Sequence, residues 1–469
     1  MKWWVSAIVL LVAVSAAGQL APEPASPREV GMDSLTLVVR VDSIISAAIE
    51  ARAFPGCQLF VARAGRVVID HSWGWHDYSQ QRAVQNDDLY DLASITKVAA
   101  STVALMKLTE SGRIELDEPF SKHYRPFRTA DKDTITFRQI LAHQSGMPAG
   151  IGVLRLMKSD AIAAENAKKA ANPRYWRKTS AELPFNADCF SPTRTPQHSI
   201  EIAHGVFLNR RYRRVILEQI DSAELRSKVY RYSDLPFVLV PRVVERVTGS
   251  EFDEYLQEEF YRPLGLEMTF CPHETVDLKR VVPTEVDDYF RYDTLRGYAH
   301  DELAAVMGGV SGNAGLFASA RDLGVLAQML ACGGVYDGRR YLQPATIAEF
   351  TKVQYPENNN RRALGFDKPL AGNDTLSFKD AYPAPAVSPQ SFGHTGFTGT
   401  MFWVDPAREL VYVLLTNRVM PSRDNRAFRE TTPQYAVQQA IYDAIARFDE
   451  ENGAGRVGRA TEGGSPPVE

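Results

Sequence analysis

An excess of charge of either sign is missing: 53 Lys and Arg stand against 57 Asp and Glu, interspersed along 469 residues, a net of −4. No basic stripe runs through the chain, which argues against nucleic acid as a partner. Cysteine is scarce, with only Cys57, Cys189, Cys271 and Cys332 and no C-x-x-C spacing. Four cysteines allow three pairings. A chain this long, 45% hydrophobic, needs no covalent staples, so disulfides and buried free thiols both stay open. The 9 histidines show no metal-ligand spacing. His71 and His76 share one segment but read as surface or core residues, so neither a metal nor a cofactor is expected. The phosphate-binding loop pattern is absent. So is the G-x-S-x-G nucleophile elbow, because Gly309-Val310-Ser311-Gly312-Asn313 fails at its last position. There is no internal repeat. Beyond the N-terminus no apolar run is long enough to span a membrane.

What is present begins with an export signature. Lys2 precedes the run Trp3 to Ala17, broken only by two serines, and Ser15-Ala16-Ala17-Gly18 ends it in small residues. Residues 1–18 read as a cleaved signal peptide. Gln19 to Pro27 is then Ala/Pro-rich, with no cysteine for a lipid anchor. A periplasmic or secreted protein is expected, with no stable membrane anchor after cleavage. The mature domain spans about 19–450, and the Gly/Pro/Glu-rich segment 451–469 reads as a disordered tail.

Within that domain, Ser34 to Arg52 is an amphipathic helix stopped by Pro55-Gly56. Cys57–Ala62 and Val67–Ile69 form a hairpin around Arg63-Ala64-Gly65-Arg66. A helix follows Ser94 and ends at Ser111-Gly112. Thr136 caps a short helix from Phe137 to His143. Residues 151–200 form an insertion, either lining a site or lying on the surface: the first half is Ala/Lys-rich and reads as helical, and Asn172 to His198 holds Pro, Arg and aromatic residues without a period. Ile202 to Lys228 reads as mostly helical, and Phe237–Val247 and Phe252–Phe260 as two further helices. Short strands alternate with turns over 267–298. The glycines of Met307 to Leu316 suggest tight turns against a packed interior. Helices follow at Ala320–Leu330 and Ala345–Gln354. Thr398–Val404 and Leu410–Thr416 are the clearest strands, and Thr432–Phe448 is a closing helix. This pattern predicts an α+β fold. Both chain ends share one antiparallel sheet flanked by helices, and residues 96–295 make a mostly helical lobe. The site is expected in the cleft between them.

Chemistry concentrates at Asp91-Leu92-Ala93-Ser94-Ile95-Thr96-Lys97. In a helix Ser94 and Lys97 share a face. The next nine residues, Val98 to Met106, carry no charge, which marks a buried helix. A serine hydroxyl needs a nearby base to act as a nucleophile. A lysine in a dry site has a lowered pKa and can help supply one. Free N–H groups at a helix start can hold an oxyanion. Taken alone, S-x-x-K also arises by chance in a chain of this length.

Two later elements complete a constellation: Tyr232-Ser233-Asp234 and His394-Thr395-Gly396. Together with Leu141-Ala142-His143-Gln144-Ser145-Gly146 and the Gly309 to Phe317 segment, their order and spacing resemble the serine β-lactamase and penicillin-binding-protein superfamily. Within it the resemblance is to the class C β-lactamase-related esterases and D-amino-acid peptidases. It runs from about residue 30 to 448, and residues 151–200 fall outside it. It implies Ser94 as the acylated nucleophile, Lys97 helping to accept its proton, and Tyr232 acting with Lys97 as base and then as acid. It implies an oxyanion hole from the N–H groups of Ser94 and of Phe397, on the edge strand. Asp234, His394, Thr395 and Gly396 would bind substrate.

Two positions depart from the superfamily pattern. Asp234 stands where Asn is usual. A carboxylate there favours the charged form of Lys97 and cannot donate to a substrate carbonyl. His394 stands where Lys is usual and presents a mostly neutral ring at neutral pH. Both count against efficient action on carboxylate-bearing β-lactams. The expected protein is an exported, cofactor-free serine hydrolase acting on a small ester, amide or peptide. The alternatives are a β-lactamase or D-Ala-D-Ala carboxypeptidase, and a non-catalytic penicillin-binding-like module. The sequence leaves the oligomeric state open.

Overall fold

A computed structural model describes residues 23–158 and 185–460. The segment 1–18 expected to be a signal peptide, residues 19–22, the middle of the 151–200 segment and the last nine residues lie outside the described residues. The central sheet has five antiparallel strands: β1 (Gly56–Arg63), β2 (Arg66–Gly74), β3 (Phe392–Thr395), β4 (Met401–Asp405) and β5 (Leu410–Thr416), in the order β3-β4-β5-β1-β2. β1 pairs with β5 from Cys57↔Thr416 to Arg63↔Leu410, joining the two ends of the chain as the strand signals predict.

Side chains alternate along these strands, so the sheet serves two cores. Leu59, Val61, Trp403, Tyr412 and Leu414 pack under α1 (Ser34–Glu50) and the C-terminal helix. Phe60, Ala62, Phe402, Val413 and Leu415 belong to the larger core on the opposite face. There α4 (Ala320–Ala331) lies close to β1: a Cβ on Gly324 would come within 2.3 Å of the Phe60 ring. Each such aliphatic or aromatic side chain, once fully buried, is worth about 1.5–3 kcal/mol. The closing helix, α5 (Pro433–Ala460), continues into the segment that composition marks as a tail.

The middle of the chain is helical but not uniformly so. α2 (Val103–Glu110) and α3 (Leu235–Thr248) are buried as their apolar runs predict. The stretch expected to be helical from Ile202 instead opens with a three-stranded antiparallel sheet of Phe190–Ser191, His198–Ala203 and Val206–Asn209. Only Arg211–Asp221 is helix there. The cause is local: Ile200 and Ile202 alternate with the less buried Glu201, a period of two. Gly205 then supplies the left-handed turn at φ 66° that closes the hairpin.

Candidate active site

The backbone at Ser94 is tighter than an ordinary helix start. Ala93–Ile95 form a single 3-10 turn, Lys97–Thr102 widen into π-type turns, and α-helix begins only at Val103. Ala93 sits in the left-handed region at φ 46°, a strained conformation for alanine that costs about 1–3 kcal/mol. The Asp91 carboxylate holds it, accepting from Ala93 N at 2.8 Å and from His300 N at 2.8 Å. The glycine-rich segment wraps this turn. Leu316 donates its N–H to Thr96 Oγ1 at 3.1 Å and accepts Leu92 N–H at 2.9 Å, and Ser101 Oγ donates to Gly312 O at 2.8 Å. A Cβ on Gly312 would lie 2.1 Å from Phe237 O, so close packing requires the glycine, as the tight-turn reading predicts.

Lys97 is fully buried, and its ammonium finds three acceptors: Ser94 Oγ at 3.0 Å, Asn313 O at 3.0 Å and Asp234 Oδ1 at 2.5 Å. Burial pulls Lys97 down, but the Asp234 carboxylate, then Tyr232, outweigh it and hold Lys97 above the ordinary lysine value. Lys97 is thus a charged donor and not the lowered lysine that its dry position alone suggests. Asp234 heads α3, yet its side chain makes no capping bond there; it is turned to Lys97. That side chain is 32% exposed, so it is the open end of the pair.

Tyr232 lies among four rings and cations. His143 is 4.4 Å away and His394 6.2 Å, ring to ring, while Lys97 Nζ and Arg362 Cζ stand 5.1 and 5.2 Å from its centroid. His143 Nδ1 accepts Ser233 N–H at 3.1 Å, and Ser233 Oγ donates to Pro148 O at 2.5 Å. The Leu141–Gly146 motif therefore anchors the Tyr-Ser-Asp segment. Burial, then Arg362 and Lys97, holds His143 well below the usual histidine range.

β3 brings the last predicted residues. His394 is buried, with Nδ1 on Thr395 O at 2.7 Å and Nε2 without a partner. Burial, then the Arg362 and Lys97 charges, keeps its ring well below the usual range and neutral. Phe397 lies just past the end of β3, in the turn to β4, and not on the edge strand. That turn is strapped to the Ser94 segment: Thr398 Oγ1 donates to Asp91 O at 2.7 Å, and Thr400 Oγ1 to Leu92 O at 3.1 Å. Gly396 is required there, since a Cβ would sit 2.4 Å from Leu92 O. The Phe397 ring is 44% exposed, stacked on His300 at 5.7 Å with Arg418 Cζ at 4.6 Å.

Four residues at the site escaped the sequence reading of roles: His143, Asp301, Asn313 and Arg362. Asp301 Oδ1 accepts from Asn313 Nδ2 at 2.9 Å and from Ala304 N at 2.8 Å. Burial and the neighbouring Asp234 carboxylate push Asp301 up to about 6. No spacing rule ties these residues to Ser94, because chain reversals far apart in sequence bring them in. None of the four cysteines forms a disulfide, and burial pushes the Cys57 thiol up. Among the described residues, no three His, Cys, Asp or Glu side chains are grouped to hold a metal.

Known proteins resemble this chain in sequence and in fold. The Beta-lactamase family model matches residues 41–432. A Salmonella gallinarum protein named putative D-alanyl-D-alanine carboxypeptidase is 30% identical over 426 residues, 84% of this chain and 85% of its own length. Among solved structures, EstCE1, a hydrolase with promiscuous acyltransferase activity, superposes with a TM-score of 0.57 at 19% identity, over 87% of this chain and 99% of its own. A penicillin-binding-protein homologue from Caulobacter crescentus gives 0.55 at 20%, over 85% and 97%. These two likenesses show the fold; the family match and the Salmonella relative carry the assignment, and the chain belongs to the Beta-lactamase family of serine hydrolases.

Proposed function

We propose that the protein is an exported hydrolase that cleaves an ester or amide bond through an acyl-enzyme on Ser94. The observation that carries this reading is the set of contacts around Lys97 Nζ, which donates to Ser94 Oγ while Asp234 keeps it charged. A charged lysine has no lone pair to take a proton, so the base is Tyr232. An isolated phenol ionises near pH 10 and needs cations beside it to act at neutral pH. Tyr232 accepts the Ser94 proton as Ser94 Oγ bonds to the substrate carbonyl carbon. The N–H groups of Ser94 and Phe397 hold the developing oxyanion. Tyr232 then protonates the leaving group, and water releases the acyl product by the same steps in reverse.

The substrate is a small ester, amide or peptide, such as a D-amino-acid or cell-wall fragment, that presents no carboxylate beside the scissile bond. A neutral His394 and an accepting Asp234 offer little to a substrate carboxylate. The name of the Salmonella relative favours a second reading, a D-Ala-D-Ala carboxypeptidase; the third is a β-lactamase. Both of those substrates carry a carboxylate. A non-catalytic ligand-binding module would have no use for the Ser94–Lys97 contact. Export rests on Met1 to Gly18, and no helix among the described residues is long and apolar enough to cross a membrane. The mature chain would then begin near Gln19.

The test is a panel of p-nitrophenyl acetate, D-alanine p-nitroanilide, a D-Ala-D-Ala peptide and nitrocefin, each run with Ser94→Ala. Neutral esters and amides should turn over fastest, and Ser94→Ala should abolish both turnover and fluorophosphonate labelling. Nitrocefin outpacing every neutral substrate would overturn the substrate class. Labelling that survives Ser94→Ala would remove the nucleophile.

A further inference from the structure

One cation, Lys97, stands 5.1 Å from the Tyr232 ring centroid, and the neutral ring at position 394 supplies no second. The nearest candidate is Arg362. It reaches the site because Asn360 is pinned to the motif that carries His143: Asn360 Nδ2 donates to Ala142 O and to Gln144 Oε1, both at 2.9 Å. Asn360 Oδ1 then accepts Arg362 N–H at 2.9 Å. This places the Arg362 guanidinium over the Tyr232 ring, 5.2 Å from its centroid, with Nε on Tyr230 Oη at 3.3 Å.

The local charges do not cancel. Arg361 and Arg362 share one carboxylate, Asp367, whose Oδ2 stands 3.3 Å from Arg362 Nη2 and also accepts from Tyr382 Oη at 2.7 Å. One positive charge is left over in a dry place. Arg362 is 5% exposed, and its Nη1 is buried with no partner. The same guanidinium is the charged group that bears most strongly on both His143 and His394. Buried as it is, the guanidinium offers substrate little access, and the Tyr232 ring is the group of the proposed acid–base set that it faces.

We propose that Arg362 is a positioning residue for Tyr232, the second cation of the site, stabilising the phenolate that takes the Ser94 proton in place of a lysine at position 394. The proton passes from Ser94 Oγ to the Tyr232 oxygen as the acyl bond forms. It then leaves with the departing group, which restores the phenolate beside Lys97 and Arg362. The other titratable groups around Tyr232 are Asp234, His143 and His394, with Arg361, Asp367 and Tyr230 behind. This inference rests on the role given to Tyr232 above.

The experiment reads Tyr232 directly as well as through turnover. In full-length protein labelled with 13Cζ-tyrosine, the Tyr232 resonance is assigned by its loss in Tyr232→Phe and followed through a pH titration. Arg362→Gln should move its midpoint up by about one unit, a tenfold change. Arg362→Lys should restore most of it, and Asp367→Asn, which removes the counter-charge, should move it down. With p-nitrophenyl acetate, Arg362→Gln should lower kcat/KM about ten- to a hundredfold at neutral pH, mainly through kcat, with the acid limb moved to higher pH. A midpoint unmoved in both Arg362→Gln and Asp367→Asn overturns the proposal. So does a KM increase confined to carboxylate substrates with kcat intact, which would make Arg362 a ligand-binding residue. If the midpoint moves as expected while no Ser94-dependent turnover is found, the electrostatic role stands and the proposed reaction fails.

Discussion

Lys97 Nζ and Asp234 Oδ1 are 2.5 Å apart, and the pair joins the Ser94 turn to the first residue before α3. This contact, with Tyr232, outweighs the burial that pulls the lysine down. It turns an apparent general base into an electrostatic and hydrogen-bonding partner of Ser94.

The first prediction concerns that charge. The folded pKa of Lys97 lies above its unfolded value, so its stabilising effect is complete below about pH 10 and is lost only as pH rises through the still higher folded value. Across about pH 6 to 9 the wild-type kcat/KM should therefore carry no limb from Lys97. In Asp234→Asn, burial acts with less opposition, and an alkaline limb should enter the measurable range. Superimposable pH profiles for the two proteins would show that Asp234 does not set the charge.

Lys97 and Tyr232 should act as one unit with Ser94. Each of Lys97→Ala and Tyr232→Phe should lower kcat/KM by about 10²–10⁴-fold. The double variant should be little worse than the poorer single, since groups that act together are non-additive. Multiplication of the two losses would mean that the residues act independently.

His394 should lower stability at mildly acid pH. Its folded pKa is depressed well below the unfolded value of about 6.5, so the unfolded chain gains a proton first. Stability should fall as pH drops below about 6.5, by up to about 1.4 kcal/mol per pH unit. His143 acts in the same sense; Asp301 and Asp322, each raised to about 6, act in the opposite one. The readout is thus the difference between wild type and His394→Asn in thermal unfolding from about pH 7 to 5. Parallel curves would mean that the ring titrates as freely when folded as when unfolded.

Gly396→Ala should separate β3 from the Ser94 turn. The new methyl would meet Leu92 O at 2.4 Å and Thr400 Oγ1 at 2.1 Å. A loss of about 1–3 kcal/mol in stability is expected, with a fall in kcat as Phe397 shifts from Ser94. Denaturant unfolding and acyl-enzyme burst kinetics check both effects. Unchanged bursts would show that the Phe397 N–H is not part of the site.

Much of the fold was legible because one physical signal dominated each element. The uncharged run Val98 to Met106 reads as buried and is buried. The strands β4 and β5 around Asp405 and Pro406, and their return to the N-terminal hairpin, follow from alternation and turn chemistry. The same signals misled where two periods overlap. Ile200, Glu201 and Ile202 carry a strand period at the start of a stretch whose later part, Arg211–Asp221, is helical, and the helix reading was extended over both.

Ser94, Lys97, Tyr232, Asp234 and His394 were singled out by residue type, order and spacing, because short motifs carry them, and the fold brings them together. Length and composition likewise determined that the chain can bury a large core. The sequence could not decide the protonation of Lys97, which depends on whether burial or the Asp234 carboxylate wins, and that balance exists only when α3 meets the Ser94 turn. Nor could it place Arg362, which lies 130 positions from Tyr232 in the sequence and 5.2 Å from its ring in the fold. Charge interactions act through space and scale with local dryness, and neither quantity is written in the order of residues along the chain.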